Sequence, residues 1–212
     1  GRIIEEPIPG GIVSPKGKLI YIIALVIGIG IPISIIYLLN LLRFRIEGHT
    51  DVEKLTTVPI IGDIPLTDAG KNGTPTIAVR ENDNNIMAET FRSLRTNLLF
   101  IMGDPDKKVI LVTSTISGEG KTFMASNLAV SLALLGKKVI LVGLDIRKPG
   151  LNKIFHLSHK EKGITQYLAA PQSTDLHALI QPSGITSNLD LLLGGPIPPN
   201  PTELLARQSL ED

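Results

Sequence analysis

Cysteine and tryptophan are both missing from the 212 residues, and aromatic side chains make up only 4% of them. Without a thiol there can be no disulfide, no zinc–thiolate centre and no cysteine nucleophile, although the compartment is left open. Few aromatics also disfavour a platform on which single-stranded bases would stack. Charge of one sign is lacking too: 21 Lys and Arg stand against 20 Asp and Glu, a net +1. No nucleic-acid partner is expected from that balance. Of the histidines, His156 and His159 have helical i, i+3 spacing, but no carboxylate or third histidine stands near them, so they read as a surface loop. No Ser/His/Asp order suited to hydrolysis can be argued.

What the chain does have is a glycine-rich loop in a telling setting, Val109-Ile-Leu-Val-Thr-Ser-Thr-Ile-Ser-Gly-Glu-Gly-Lys-Thr122. The apolar run Val109–Val112 predicts a strand buried on both faces, and Thr122–Leu135 predicts a helix. Between them Gly118 and Gly120 allow backbone angles closed to other residues, so Ser117, Gly118, Glu119 and Gly120 can turn successive N–H groups around an anion. Lys121 is then placed for the β- and γ-phosphates of a nucleotide, Thr122 for Mg²⁺, and the helix dipole points at the same phosphates. The strict pattern asks for glycine where Thr115 stands. Nucleotide phosphate binding is nonetheless the expectation, with ATP and Mg²⁺ as cofactors.

Residues 19–42 are free of charge, and sixteen of them are Leu, Ile or Val. That length crosses a bilayer core of about 30 Å, and the aliphatic residues favour insertion by roughly 5–10 kcal/mol. A transmembrane helix is expected, with membrane lipid as a partner. Arg2, Lys16 and Lys18 precede it and Arg43, Arg45 and Lys54 follow, so flanking charge does not orient it. ATP is cytosolic, which puts the C-terminal side inside. Arg43 and Arg45 suit either anionic head groups or plain solvation.

Four segments follow from composition and that orientation: a proline-containing stretch 1–18 on the outer side, the span 19–42, a juxtamembrane linker 43–82, and a cytosolic phosphate-loop domain 83–212. Within the linker, Val58–Leu66 predicts a short strand and Lys71–Thr76 a mobile loop. Asn85–Met102 predicts an amphipathic helix, because Met87, Phe91, Leu94, Leu98 and Ile101 share one face. Glu89 and Arg92 fall largely opposite, and Arg95 lies on the border. Their i, i+3 spacing is that of salt bridges on a solvated helical face.

Val139–Val142 predicts a second core strand after Gly136, giving a parallel βαβ unit. Asp145 follows at its carboxyl end, the edge where open α/β sheets place ligands. It could hold a water of the Mg²⁺ shell, accept a proton, or simply pair with Arg147. Arg147 itself suits loop shaping or phosphate contact equally. Gly163–Ala169 predicts a short helix and Leu189–Leu193 a strand. A further helix should start at Pro201, capped by Asn200. The fold class expected is α/β, a P-loop NTPase-like parallel sheet, incomplete, preceded by one transmembrane helix. The chain starts at Gly1 without methionine and stops at Asp212 just inside that last helix, so a fragment cut at both ends is expected.

Taken in order, these pieces resemble the bacterial tyrosine autokinases of the Wzc type, fused to polysaccharide co-polymerases. The resemblance rests on the proline-containing approach and span, on Val52-Glu-Lys-Leu-Thr-Thr-Val-Pro-Ile-Ile-Gly-Asp-Ile-Pro65, and on Glu89-x-x-Arg92-x-x-Arg95. Ser117-Gly-Glu-Gly-Lys-Thr122 and the proline-rich Gly194–Leu205 complete it. It implies an inner-membrane protein whose cytosolic domain binds Mg-ATP and phosphorylates tyrosines on neighbouring subunits of a ring. It also implies control of capsular or exopolysaccharide assembly and export. Lys121 and Asp145 would be catalytic, Thr122 and Asp145 would serve the metal, and Glu89, Arg92 and Arg95 would contact the adjacent subunit.

Three departures stand beside that resemblance. The family's strand-Asp-x-Asp-x-Arg has Gly143 in place of its first aspartate. Its later metal-binding strand has no counterpart before Asp212, and its tyrosine tail is missing, since the only tyrosines are Tyr21, Tyr37 and Tyr167. The piece alone is therefore expected to be inactive. Two other readings compete: a co-polymerase scaffold in which nucleotide only sets the oligomer, which Gly143 favours, and a partitioning-type ATPase. The second lacks a long span and carries a lysine where Ile116 stands.

Overall fold

The computed structural model describes residues 17–42, 48–65, 76–104, 106–158 and 162–205. Arg2 and Lys16 with the rest of 1–16, Arg43, Arg45, loop residues 71–75 and His159 lie outside them. The chain divides into two compact units, 1–58 and 59–212.

The described part of the first unit is mostly helical. Helix α1, Gly17–Leu42, runs for 26 residues with Pro32 inside it. The stretch Gly17–Leu41 is apolar and long enough to cross a membrane, with a mean hydropathy of 2.8 and none of its side chains buried. A seven-residue helix, α2, His49–Leu55, follows where only linker was expected. It buries nothing, and what favours it is local: Asp51 in the first turn and Lys54 in the last complement the helix dipole.

The strand expected at Val58–Leu66 does not form in its described residues, and Leu66 lies outside them. Residues 59–65 carry no strand pairing. Instead Ile61 and Ile64 pack on the core, and the Ile61 carbonyl accepts a hydrogen bond from Asn97 Nδ2 at 2.8 Å. A side chain of the next helix thus takes the place of a sheet partner. That helix, α3, spans Ile86–Met102 with Asn85 as its cap, the side-chain oxygen accepting the Ala88 N–H at 2.7 Å. Met87, Phe91 and Leu94 are buried and Leu98 is packed on the core, but Ile101 is exposed beside Phe100 in the last turn.

Helix α4, Lys121–Leu134, is buried continuously from Ser126 to Ala133. It packs against α3 and against strand β1, Val139–Val142. After β1 come helix α5, Leu151–Ile154, helix α6, Ile164–Ala169, and a 3-10 turn at His177–Leu179. Strand β2, Ile180–Pro182, strand β3, Leu189–Leu192, and helix α7, Pro201–Leu205, end the described chain. Asn200 sits at the head of α7, its carbonyl accepting from Leu204 N–H and its amide donating to Glu203 at 3.0 Å.

The sheet has the order β1-β3-β2. β1 runs parallel to β3, with Val139 opposite Leu189 and Val142 opposite Leu192, and β2 runs antiparallel. Side chains alternate across β3, and both faces are covered. Leu189, Leu191 and Leu193 join α3 and α4 in one core, while Leu192 joins Ile146, Ile164, Leu168, Leu179 and Leu204 in another.

Val109–Val112, expected as the strand before the glycine loop, has no strand pairing. Val109 is 92% exposed and Leu111 81%. An apolar run becomes a strand only when a neighbour takes up its N–H and C=O groups. β1 pairs with β3 on one side, and no described residue pairs on its other side.

Candidate functional site

The loop before α4 has the backbone its glycines were expected to allow. Gly118 (φ 98°) and Gly120 (φ 90°) both lie in the left-handed region, and Gly120 caps the helix. Side chains not foreseen in the sequence brace it: Glu119 Oε2 accepts the Ile116 N–H at 3.2 Å, and the Ser114 hydroxyl donates to the Ile116 carbonyl at 3.1 Å. The residues from Ser117 to Gly120 are exposed, and α4 starts at Lys121 directly behind them.

Asp145 meets this loop from the other side. β1 ends at Val142, and Ile146, only 1% exposed, anchors the following turn in the second core. The Lys148 N–H donates to Asp145 Oδ1 at 3.0 Å, which leaves Oδ2 facing Lys121 Nζ at 3.6 Å. Thr122 faces the same 145–150 loop further along, close enough that a Cβ at Gly150 would stand 3.3 Å from its Oγ1. Lys121 and Asp145 thus meet from two elements, and Thr122 borders the far end of the same loop. One hydroxyl and one carboxylate, both hard oxygen donors, suit Mg²⁺, which keeps several waters and leans on substrate phosphates. Among the described residues no group of three or more His, Asp or Glu could hold a metal by itself.

Gly143 has a packing reason. Its N–H donates to the Leu192 carbonyl, and a Cβ there would stand 3.0 Å from Leu151 Cδ1 and 3.2 Å from Gly194 N. The turn after β3 comes in too close for a larger residue to fit without displacement.

Glu89, Arg92 and Arg95 lie along α3, where Arg92 Nη1 bonds Glu89 Oε1 and Nη2 donates to the Asp83 carbonyl at 2.6 Å. Arg95 turns inward, its Nη1 donating to the Ser131 carbonyl of α4 at 2.8 Å. Glu89 stays exposed and borders a groove of about 530 Å³ between Ile61–Asp63 and α3, lined also by Leu94 and Asn97. His156, exposed with φ 54°, sits in a turn as a loop residue. Another unforeseen residue is Asn127, fully buried with both ends of its amide engaged. The two main-chain N–H groups that its oxygen accepts lie 48 and 49 positions away, beyond the reach of any local pattern.

A glycine loop that opens a helix, facing an aspartate past the next parallel strand, defines a P-loop nucleotide-binding domain. A family model described as ParA, NUBPL iron-transfer P-loop NTPase, matches residues 106–185. Tyrosine-protein kinase YwqD of Bacillus subtilis is 39% identical over 128 residues, 60% of this chain and 52% of that protein. A putative tyrosine-protein kinase in the cps region of Klebsiella pneumoniae is 28% identical, covering 94% of this chain and 29% of its own length. Among solved structures, the BceF tyrosine kinase domain superposes with a TM-score of 0.65 at 31% identity, over 78% of this chain and 69% of that one. The chain belongs to the bacterial tyrosine-protein kinase family. It spans about half the length of the Bacillus relative and less than a third of the Klebsiella one.

Proposed function

We propose that the chain is part of an ATP-dependent protein-tyrosine kinase that phosphorylates neighbouring copies of itself and governs capsular or exopolysaccharide assembly and export. The observation that carries this reading is the meeting of Lys121 with Asp145 at the foot of the glycine loop. Loop amides and the α4 dipole receive the β- and γ-phosphates. Lys121 leaves Asp145 for the phosphate oxygens and fixes the γ-phosphoryl group in line. Thr122 would hold Mg²⁺ directly and Asp145 would hold it through a water of its shell, and the ion would supply charge neutralisation on the phosphates. The tyrosine oxygen attacks the γ-phosphorus, the bond to the bridging oxygen breaks to release ADP, and the phenolic proton passes to Asp145.

The segments are 1–18 outside the cell membrane in the periplasm, 19–42 through the inner membrane, a linker 43–82, and the cytosolic domain 83–212. Lipid around α1 is supported by its length and its bare apolar surface. Self-association into a ring uses the α3 face bearing Glu89 and Arg92, with Arg95 bracing that helix from behind. The polysaccharide role is supported by the Klebsiella relative, whose name places it in the cps region.

In the full-length protein, Lys121→Met is expected to abolish phosphotyrosine, and an unchanged anti-phosphotyrosine blot rejects the kinase reading. A second reading, a scaffold whose oligomer is set by nucleotide, is favoured by Gly143, which leaves this site one carboxylate where the family pattern has two. Polymer export at the normal level by the Lys121→Met protein would favour it.

A further inference from the structure

The first turn of α4 carries Lys121 and Thr122, and something must hold that turn still if the two are to meet a phosphate in a fixed place. Part of the hold is Phe123, whose ring stands edge-on to Phe91 of α3 with centroids 5.9 Å apart. The rest comes from Asn127, one turn further on and 0% exposed. Its Oδ1 accepts two main-chain N–H groups, from Ala78 at 2.7 Å and Val79 at 3.1 Å. Its Nδ2 donates to the Phe123 carbonyl at 2.9 Å and to the Thr76 carbonyl at 3.4 Å. A side-chain amide offers two acceptor sites and two donors, and all four are in use. Residues 76–79 form no sheet ladder, so this one side chain stands in for a strand partner, while Ile77 and Val79 seal the contact in the core.

We propose that Asn127 is a positioning residue for the nucleotide site, strapping the chain that leads into α3 onto the turn of α4 that carries Lys121 and Thr122. The inference rests on the nucleotide reading above. Undocking residues 76–79 leaves the buried Asn127 oxygen without either of its N–H donors and its Nδ2 with only the Phe123 carbonyl, so strap and turn move together. An Asp at 127 keeps an acceptor for both N–H groups but sets an oxygen against the Phe123 and Thr76 carbonyls, whereas Ala loses everything. Coupling between strap and nucleotide is reciprocal: whatever factor the strap gives to binding, binding returns to the strap.

The test uses the full-length protein in lipid nanodiscs, with calorimetry for Mg-ATP and hydrogen exchange at the Ala78 and Val79 amides. In the unmutated protein, saturating Mg-ATP should slow exchange at both amides by about tenfold, within the range of ordinary coupling. Asn127→Ala should weaken Mg-ATP binding by the same factor and speed that exchange. Leu168→Ala, which opens a cavity in the other core, should lower the melting temperature while keeping affinity within about twofold. Asn127→Asp should keep the two amides protected. Mg-ATP uptake with no change in Ala78 and Val79 exchange overturns the proposal, as does an affinity loss in Asn127→Ala no larger than in Leu168→Ala. No uptake of Mg-ATP by the unmutated protein is a different result, and it rejects the nucleotide reading itself.

Discussion

Lys121 and Asp145 are each partly exposed, with side-chain exposures of 33% and 41% at a separation of 3.6 Å. A pair so open to water contributes about 0–1 kcal/mol, too little to keep Lys121 from a phosphate carrying two charges. On the proposed mechanism the aspartate is therefore a resting place for the lysine, and the Lys148 N–H would keep its orientation after the lysine leaves. Asp145→Asn separates the two roles. The amide can still hold its place in the turn, yet it accepts no proton and makes a poor metal ligand. Nucleotide binding measured in EDTA should stay within a few-fold of the unmutated protein. Tyrosine phosphorylation should fall by about 10²-fold or more, the usual worth of a positioned acid or base. Undiminished, magnesium-dependent phosphorylation by Asp145→Asn would remove Asp145 from the mechanism.

At the scale of elements, the end of β3 and the start of α6 form a joint with no room in it. Gly163 lies against the Leu193 carbonyl and Gly195 N, and a Cβ at 163 would collide with both. The Ile164 N–H donates to the Leu193 carbonyl at 2.8 Å and the Thr165 N–H to that of Gly194 at 3.1 Å, so the approach is fastened as well as close. Gly163→Ala should cost about 1–3 kcal/mol or more, as overpacking does, read as a lower midpoint in urea unfolding. An unchanged midpoint would show that the joint can give. Such joints explain what sequence could and could not show. Helices α3 and α4 and strands β1 and β3 were legible because each carries its own period, cap or apolar run. β2, three residues ending in Pro182, has no such pattern and exists through its pairing with β3. Val109–Val112 has the pattern without the partner, and α2 has neither an apolar face nor a cap. The glycine loop, Lys121 and Asp145 were likewise readable locally. The Asn127 strap and the Glu119 brace depend on where distant or folded-back main chain comes to lie.

Across the whole molecule, the proposed kinase reading turns on one question of geometry: which side of a membrane holds the glycine loop. Three basic residues flank the apolar run on each side, so the charge rule that usually sets orientation is silent here. The apolar side chains of α1 are bare throughout its described length, and a bilayer is the solvent that removes this cost, at about 25 cal/mol per Å². On the proposed kinase reading, binding of ATP sets the direction, because that nucleotide is held in the cytosol. The absence of cysteine makes the arrangement measurable, since an introduced thiol is the only one in these 212 residues. With the chain expressed in a bacterial inner membrane, Ser14→Cys should react with a membrane-impermeant maleimide added to cells whose outer membrane has been permeabilised. Thr57→Cys, on the exposed stretch after α2, should react only once the inner membrane is opened. The reverse labelling would put the glycine loop on the side without ATP and end the kinase reading. Labelling of both positions from outside would mean that α1 does not cross the bilayer.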